Sequence, residues 1–504
     1  MSSKKGFFYT ITALHPEVTG SCLLVTVHYP DGNIMMFIVD CGLFQERPYK
    51  QLNSQTLPFT SSKIAFALIT HNHADHNGRL PILMKEGFKG KIYTTATTKR
   101  HMQFSLMDDY KIMLSNAKEK KQKPWYSEED IYKVMENTEC CTLEETVYVN
   151  PNVKVTFLDN GHLLGSASIF VQISCYGEDD LNILFTGDCK PTTIWKEIRQ
   201  IPEWIRELPK TVVTESTYGY MDSNEVEYHF ESDIQKILSQ GKSITIFVFA
   251  QGRAQEVLYV LKTMQDGGRL SKKIPIYLDG KLAQINTKMY QNSEEIDEDK
   301  RNFIPENFTL VNKENRQNVI SETKQKIILT TSGMADHGPA CIYVPEFVSR
   351  YDMVFYFSGY VSKDSFANKI MNPKDGKITI KGKDYDVNVD VYSTSEFSSH
   401  AKADEMIAKL KEAGNVQLVL INHGQKESQQ IFAQKIINAE FTKRVEILSE
   451  HSAVVGKFGL IKIMGSKIYS VKMPKEDNST EKYKKEGRIP VRKRFNSYFV
   501  CKSR

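Results

Sequence analysis

The run Ala67-Leu68-Ile69-Thr70-His71-Asn72-His73-Ala74-Asp75-His76-Asn77-Gly78-Arg79-Leu80-Pro81 carries three imidazoles and a carboxylate within six residues. Directly ahead of them, residues 64–69 are apolar and unbroken, which reads as a short strand. A strand end that opens into a tight polar loop lets side chains converge. His71 and His73, two apart, reach one ion; Asp75 and His76, on the next bend, reach a second. Imidazole nitrogen and carboxylate oxygen suit Zn2+ at roughly 2.0 to 2.2 Å, and a catalytic zinc keeps one position open for water. A solvated turn that happens to be His-rich is the competing reading, and four ligand-capable side chains in six positions weigh against it.

Outward from this loop, the same geometry recurs. Residues 21–29 and 33–40 are strand-like and joined by Pro30-Asp31-Gly32, a hairpin signal, and the second run ends on Asp40-Cys41-Gly42. A carboxylate there either ligates metal or accepts a hydrogen bond from a ligand imidazole; the orienting role is favoured, because a metal-bound histidine nearly always needs such a partner. Further on, runs at 153–158 and 168–174 flank Asn160-Gly161-His162-Leu163-Leu164-Gly165-Ser166-Ala167. Glycines on both sides let the backbone present His162 inward, to complete a set with His71 and His73. The run 183–186 ends on Gly187-Asp188-Cys189, where a carboxylate can bridge two ions through its two oxygens. His15, near the turn Thr19-Gly20-Ser21, reads as loop chemistry, and His101, opening a helix with Met102, Leu106, Tyr110 and Met113, as a surface or packing residue.

From about residue 207 short strands alternate with amphipathic helices: 212–215, 244–249, 274–278, 327–331 and 353–357. That pattern reads as βαβ units on a parallel sheet, an insertion or second domain. Strands at 377–380 and 385–392 follow. Ser398-Ser399-His400-Ala401 then opens a helix over 401–413, and the strand 416–421 ends on Asn422-His423-Gly424. His400 and His423 are ligand or proton-donor candidates. His28, His229, His337 and His451 have no such context and are assigned no role.

With 504 residues the chain exceeds one ordinary core, so two domains, or one with a large insertion, are expected. Its 40% hydrophobic and 25% charged residues are ordinary for a globular protein. The net charge of +5 is local: residues 471–504 hold 11 Lys and Arg against 4 Asp and Glu. Such a segment suits a phosphate backbone or a solvated, frayed end. Eight cysteines without CxxC spacing argue against a disulfide framework or zinc ribbon and for a reducing compartment. No signal-like stretch and no run near ~18 apolar residues is present, so a cytoplasmic protein with no membrane partner is expected.

With these residues in place, the chain resembles the metallo-β-lactamase superfamily and, within it, the β-CASP nucleases, which include ribonuclease J-like enzymes and the endonucleases of pre-mRNA cleavage. Asp40, the 71–76 loop, His162 in GHLLGSAS and Asp188 in FTGD resemble the four metallo-β-lactamase motifs. Glu215 in TESTYG, His400 in FSSHA and His423 in INHG resemble the three β-CASP motifs. FVFAQGRAQE, SGM and FSGY support the match. The sequence departs at Ala335-Asp336-His337-Gly338, where the family usually has consecutive glycines, and in the continuation of FSGY into Val361-Ser362-Lys363.

The resemblance implies an α/β fold: a metallo-β-lactamase αββα sandwich with an inserted β-CASP α/β domain. The expected division is a first lactamase part at 1–206, the cap at 207–394, a return segment at 395–473 and a basic tail at 474–504. By position it implies two Zn2+ per chain, one on His71, His73 and His162, the other on Asp75, His76 and His423, with Asp188 bridging and Asp40 orienting. Asp75, His400 and Glu215 carry the catalytic roles, the last two as the leaving-group proton donor and its partner. Arg253, Ser332, Gly333 and Ser399 are expected against the substrate. Histidine at position 423 goes with RNA-cleaving members, so the implied activity is a zinc ribonuclease on single-stranded RNA, in RNA processing or decay, working as a homodimer or as a subunit of an RNA-processing complex. A DNA nuclease, a small-molecule hydrolase and a non-catalytic RNA-binding scaffold are the alternatives.

Overall fold

Along Leu23–His28 every second side chain is buried, whereas Val153–Asp159, Ala167–Ile173 and Leu181–Phe185 are buried almost throughout. Strands of this kind need a second sheet on one side and helices on the other. The computed structural model describes residues 6–46, 49–359, 361–442 and 444–448, and the backbone of the strands Ser452–Val455, Gly459–Met464 and Lys467–Ser470. The expected basic tail and His451 lie outside the described residues.

Two sheets form a sandwich. The first has nine strands, running from Lys467–Ser470 at one edge through Phe8–Ala13, Leu23–His28, Ile34–Val39 and Ile64–Leu68 to Thr138–Cys141 at the other. The second has seven, from Val445–Ile447 through Val416–Ile421, Lys210–Thr214 and Leu181–Phe185 to Thr146–Asn150. Phe37, Phe66, Phe157 and Phe185 fill the space between them. On the outer face of the first sheet, Ala96–Glu119 and Glu128–Asn137 pack Met102, Leu106, Ile131 and Val134; on that of the second, Ala403–Glu412 and Lys426–Asn438 pack Met406, Leu410, Phe432 and Ile436. The layers are therefore αββα.

The cap is a six-stranded, wholly parallel sheet in the order Phe308–Val311, Ile276–Asp279, Ile327–Thr330, Ser243–Phe247, Met353–Phe357, Asp390–Ser393. Its central strands are buried on both faces, as parallel sheets require, with one helix layer on each side. Two segments differ from the sequence reading. Lys210–Thr214, placed by sequence at the start of the cap, pairs in parallel with Leu181–Phe185 and Val416–Ile421 in the sandwich; beyond it the chain enters the cap core with the helix Phe230–Ser239, a core into which Leu164 and Trp195 also pack. The run 385–392, read as one strand, is two. Lys383–Asp386 forms a hairpin with Lys377–Ile380, the amides of Asn388 and Val389 turn to the Val348 carbonyl, and Asp390–Ser393 then enters the parallel sheet.

Parallel pairing has a consequence for chemistry. Ile34–Val39 with Ile64–Leu68, and Leu181–Phe185 with Lys210–Thr214 and Val416–Ile421, all run the same way within their sheets. Their carboxyl ends therefore open on common edges, and the residues just beyond them include Asp40, His71, Asp188, Glu215 and His423.

One side chain works against this fold at neutral pH. Asp109, on the long helix Ala96–Glu119, has a buried Oδ2 with no hydrogen-bond partner, and burial, with Asp108 beside it, pushes its pKa up to about 7. A carboxyl raised in the folded state stabilises fully only below its unfolded pKa of about 3.9, and that contribution is lost as pH rises through 7. Asp109→Asn should therefore raise Tm by about a few degrees at pH 7.5 and by less at pH 5. Differential scanning calorimetry at both values checks this, and an equal shift at both would refute it.

Candidate metal centre

The first cluster is three imidazoles brought edge to edge. His73 Nδ1 lies 3.2 Å from His71 Nε2 and 3.1 Å from His162 Nε2, and Asp188 Oδ2 stands 3.7 and 3.8 Å from those two Nε2 atoms. A tetrahedral zinc with bonds of about 2.0–2.1 Å spaces its ligand atoms by ~3.3 Å, which is the spacing found. The second cluster is Asp75, His76 and His423. His76 Nε2 is 3.9 Å and His423 Nε2 4.0 Å from Asp75 Oδ2. Asp188 serves both clusters, with Oδ2 3.3 Å from His76 Nε2 and Oδ1 3.4 Å from His423 Nε2. Within each cluster, with Asp188 counted in the first, the donor atoms lie within 4.8 Å of one another.

Unsatisfied atoms make the fit to metal specific. His76 Nε2, Asp188 Oδ1 and both ring nitrogens of His423 are buried without a hydrogen-bond partner among the described residues. Orphaned polar atoms of this kind are costly unless something else pairs with them. Burial foremost, with neighbouring imidazoles, holds His71 and His162 well below the usual histidine range, and burial takes His73 to about 4. They are neutral and offer lone pairs, the state a divalent ion needs. Burial opposes ionisation of Asp188, but His423, His76 and His400 around it outweigh that and hold its carboxyl well below the carboxylate range.

Each ring is aimed by its other nitrogen. Asp40 accepts from the Thr70 amide at 2.9 Å and from His76 Nδ1–H at 2.7 Å, which leaves His76 Nε2 facing the cluster. The Thr70 hydroxyl donates to Asp40 and accepts from His71 Nδ1–H at 3.0 Å. His162 Nδ1–H donates to the Ser399 carbonyl at 2.8 Å. The loop itself depends on Gly42, where a Cβ would stand 1.6 Å from the Asp75 carbonyl oxygen. Gly424 is equally constrained, because a Cβ there would stand 2.2 Å from Ser216 Oγ and displace the turn that carries His423.

His400 stands beside the metal clusters. Its Nδ1–H donates to Glu215 Oε2 at 2.8 Å, and Glu215 Oε1 is fixed by the Cys189 amide at 2.7 Å. Burial disfavours the charged imidazole, but Glu215 and Asp188 outweigh it and raise His400 above the ordinary histidine range. The four residues expected against substrate are placed differently from one another. Arg253 opens the helix Arg253–Asp266, and its guanidinium donates to the Ser358 carbonyl. Ser332 is buried, with its Oγ accepting from the Asp336 and His337 amides, and Gly333 packs under the Phe249 ring. Ser399 acts through its carbonyl on His162.

Sequence reasoning did not single out Thr70, Asn72 or Lys402. Asn72 Nδ2 donates to Gln251 Oε1 at 2.8 Å and its Oδ1 accepts from Asn77 and Ser105, so it ties the metal loop to the cap. Its signal was its place between two histidines. Lys402 was detectable as a lysine at a helix N-cap, two residues after His400.

An αββα sandwich with two His/Asp donor sets sharing one carboxylate, under a parallel α/β cap, is the architecture of a protein built to hold divalent metal. Comparison with known families agrees. Residues 15–137 match the metallo-beta-lactamase superfamily, 254–370 the Beta-Casp domain, and 384–448 the Zn-dependent metallo-hydrolase RNA specificity domain. The chain belongs to the metallo-β-lactamase superfamily, in its β-CASP branch, a family of metal-dependent hydrolases. The transcription termination factor FttA of Methanosarcina mazei is 28% identical over 438 residues, 81% of this chain and 66% of the relative. Ribonuclease TTHA0252 of Thermus thermophilus is 28% identical over 424 residues, 82% of this chain and 91% of the relative. FttA of Methanococcus maripaludis is 29% identical over 436 residues, 81% of this chain and 65% of the relative, so the chain spans about two thirds of the FttA relatives. Among the described residues no helix is long and apolar enough to cross a membrane.

Gly42→Ala should force the loop off the Asp40 turn and lower both Tm and the divalent metal retained after dialysis. Mass spectrometric metal analysis of the purified chain checks this; wild-type metal content would contradict it.

Proposed function

We propose that this chain is a zinc-dependent ribonuclease that hydrolyses phosphodiester bonds of single-stranded RNA. The observation that carries the reading is the His400–Glu215 pair, set 3.8 Å from the carboxylate shared by the two donor sets. A small-molecule hydrolase of the same metal site has no need of a separate proton donor or of a six-stranded cap. A non-catalytic scaffold has no need of complete donor sets.

His71, His73 and His162 would hold one zinc, and Asp75, His76 and His423 the other, with Asp188 between. Bound there, two such ions supply Lewis acidity at a phosphoryl oxygen and a water whose pKa falls from about 15.7 to about 7. The chain's own residues do the rest. Asp40, Thr70 and the Ser399 carbonyl fix the imidazole rings, so that no reorientation accompanies the reaction. His400, kept cationic by Glu215, donates the proton on Nε2 to the 3′ oxygen that leaves, and recovers it from solvent after product release. The match of residues 384–448 to an RNA specificity domain, and the ribonuclease among the relatives, support RNA as the polymer.

His400→Ala should keep both equivalents of zinc and lose RNA cleavage by about 10²-fold or more, the scale of a general acid. His423→Ala should lose one equivalent. Wild-type stoichiometry in both variants would overturn this division of roles. Parallel incubation of the wild type with single-stranded RNA, single-stranded DNA and a chromogenic lactam, with and without chelator, should show chelator-sensitive cleavage of RNA foremost. Preference for either other substrate would overturn the assignment.

A further inference from the structure

Beside the His400–Glu215 pair lies a group of cations that the mechanism does not use. Lys402 is only 5% exposed, and its Nζ has no hydrogen-bond partner and no carboxylate within ion-pair distance among the described residues. It rests on the face of Tyr218, 3.4 Å from the ring centroid, and Tyr218 in turn lies 6.2 Å, ring to ring, from His400. Burial lowers Lys402 to about 8; Lys190 and Arg253 push it the same way, and Glu405 and Glu215 oppose them. Arg253 is nine-tenths buried, and among the described residues the Ser358 carbonyl is the one hydrogen-bond partner of its guanidinium, while the charge of Glu256, a turn further along the helix, favours its cationic form; Gly359 makes room for it, since a Cβ there would stand 2.8 Å from its Nη1. Lys190, two residues past Asp188, is partly buried and also without a carboxylate partner among the described residues.

Lys402 and Arg253 are thus largely out of water with no carboxylate in ion-pair contact among the described residues, an arrangement that favours an incoming anion. The carboxylates nearby are engaged elsewhere: Asp188 and Asp75 face the clusters, Glu215 is committed to His400 and the Cys189 amide, and Glu405 accepts from the Lys402 backbone amide. An arginine fork and two ammonium groups suit a phosphate oxygen. We propose that Lys402, with Arg253 and Lys190, forms a subsite for a backbone phosphodiester next to the one that is cut. The subsite rests on the nuclease reading for the identity of the polymer. His400 serves the departing 3′ oxygen, and Lys402 adjoins His400. The anion it holds is therefore the 5′ phosphate of the nucleotide that carries that oxygen, one linkage upstream of the cut. Tyr218 is the apolar floor beneath the ammonium.

The test uses the full, metal-loaded chain and a fluorescent single-stranded RNA. Lys402→Gln should weaken binding about tenfold and reduce the slope of log affinity against log salt by about 0.7, the value for one lost single-strand phosphate contact. Lys190→Gln, on the more accessible side, should move both in the same direction and serves if Lys402→Gln does not fold. A methylphosphonate one linkage upstream of the cut should lower kcat/KM about tenfold in the wild type, and Lys402→Gln should then add little to it. Wild-type affinity in both variants, or weaker binding with an unchanged slope, overturns the subsite. If the binding results hold but no RNA is cleaved, the nuclease reading falls and the subsite stands. If the wild type binds no RNA, both fall.

Discussion

Five imidazoles crowd one buried carboxylate. Asp188 has His76 at 3.3 Å, His423 at 3.4 Å, His71 at 3.7 Å, and His162 and His400 at 3.8 Å. Only a few of these contacts can be hydrogen bonds, and the neutral rings on one side leave their lone pairs directed inward. Such a concentration of acceptors is stable where cations fill it. The second nitrogens of His71, His76 and His162 are already engaged with Thr70, Asp40 and the Ser399 carbonyl, so these rings cannot turn away. The centre is thus set by what surrounds it, and the catalytic reading is a consequence of that setting.

The fold explains how residues so far apart in sequence arrive together. Strands that run parallel end on one edge, and the loops beyond those ends carry the polar side chains. Asp40 holds a left-handed backbone conformation, φ +61°, and His423 another, φ +45°. Both cost energy for residues with a Cβ. Both occur where a chain leaving a buried strand must turn its next side chain sharply toward the centre. The contact of Asn72 with Gln251 ties the cap to the sandwich at the metal loop itself.

How much of this was legible in sequence depended on locality. His71, His73, Asp75 and His76 sit in one loop, His162 lies between Gly161 and Gly165 after an apolar run, and Asp188 follows an apolar run and Gly187, so each announced itself within ten residues. The sheet to which Lys210–Thr214 belongs did not, because a five-residue strand buried on both faces fits the interior of a sandwich sheet and a parallel cap equally. The break in 385–392 was hidden for a related reason: β-branched and aromatic residues continue through it, and the turn is made by backbone bonds to Val348 that no local pattern encodes. Ala335 is the opposite case. Its φ of +57° accounts for the glycines usual at that place in the family, and the departure noted in sequence is a strained alanine buried in the cap core. Lys402 was missed because a lysine is ordinarily a surface residue, and its place at a helix N-cap after His400 gains weight once its burial is seen.

The central claim is that two ions share the Asp188 carboxylate. X-ray absorption at the zinc edge on the chain loaded with two equivalents tests it most directly. The account predicts a nitrogen and oxygen shell at roughly 2.0–2.2 Å with imidazole scattering, no sulfur at about 2.3 Å, and a metal–metal vector of about 3.5–4 Å. Saturation at one equivalent, or two zincs without that vector, would contradict it.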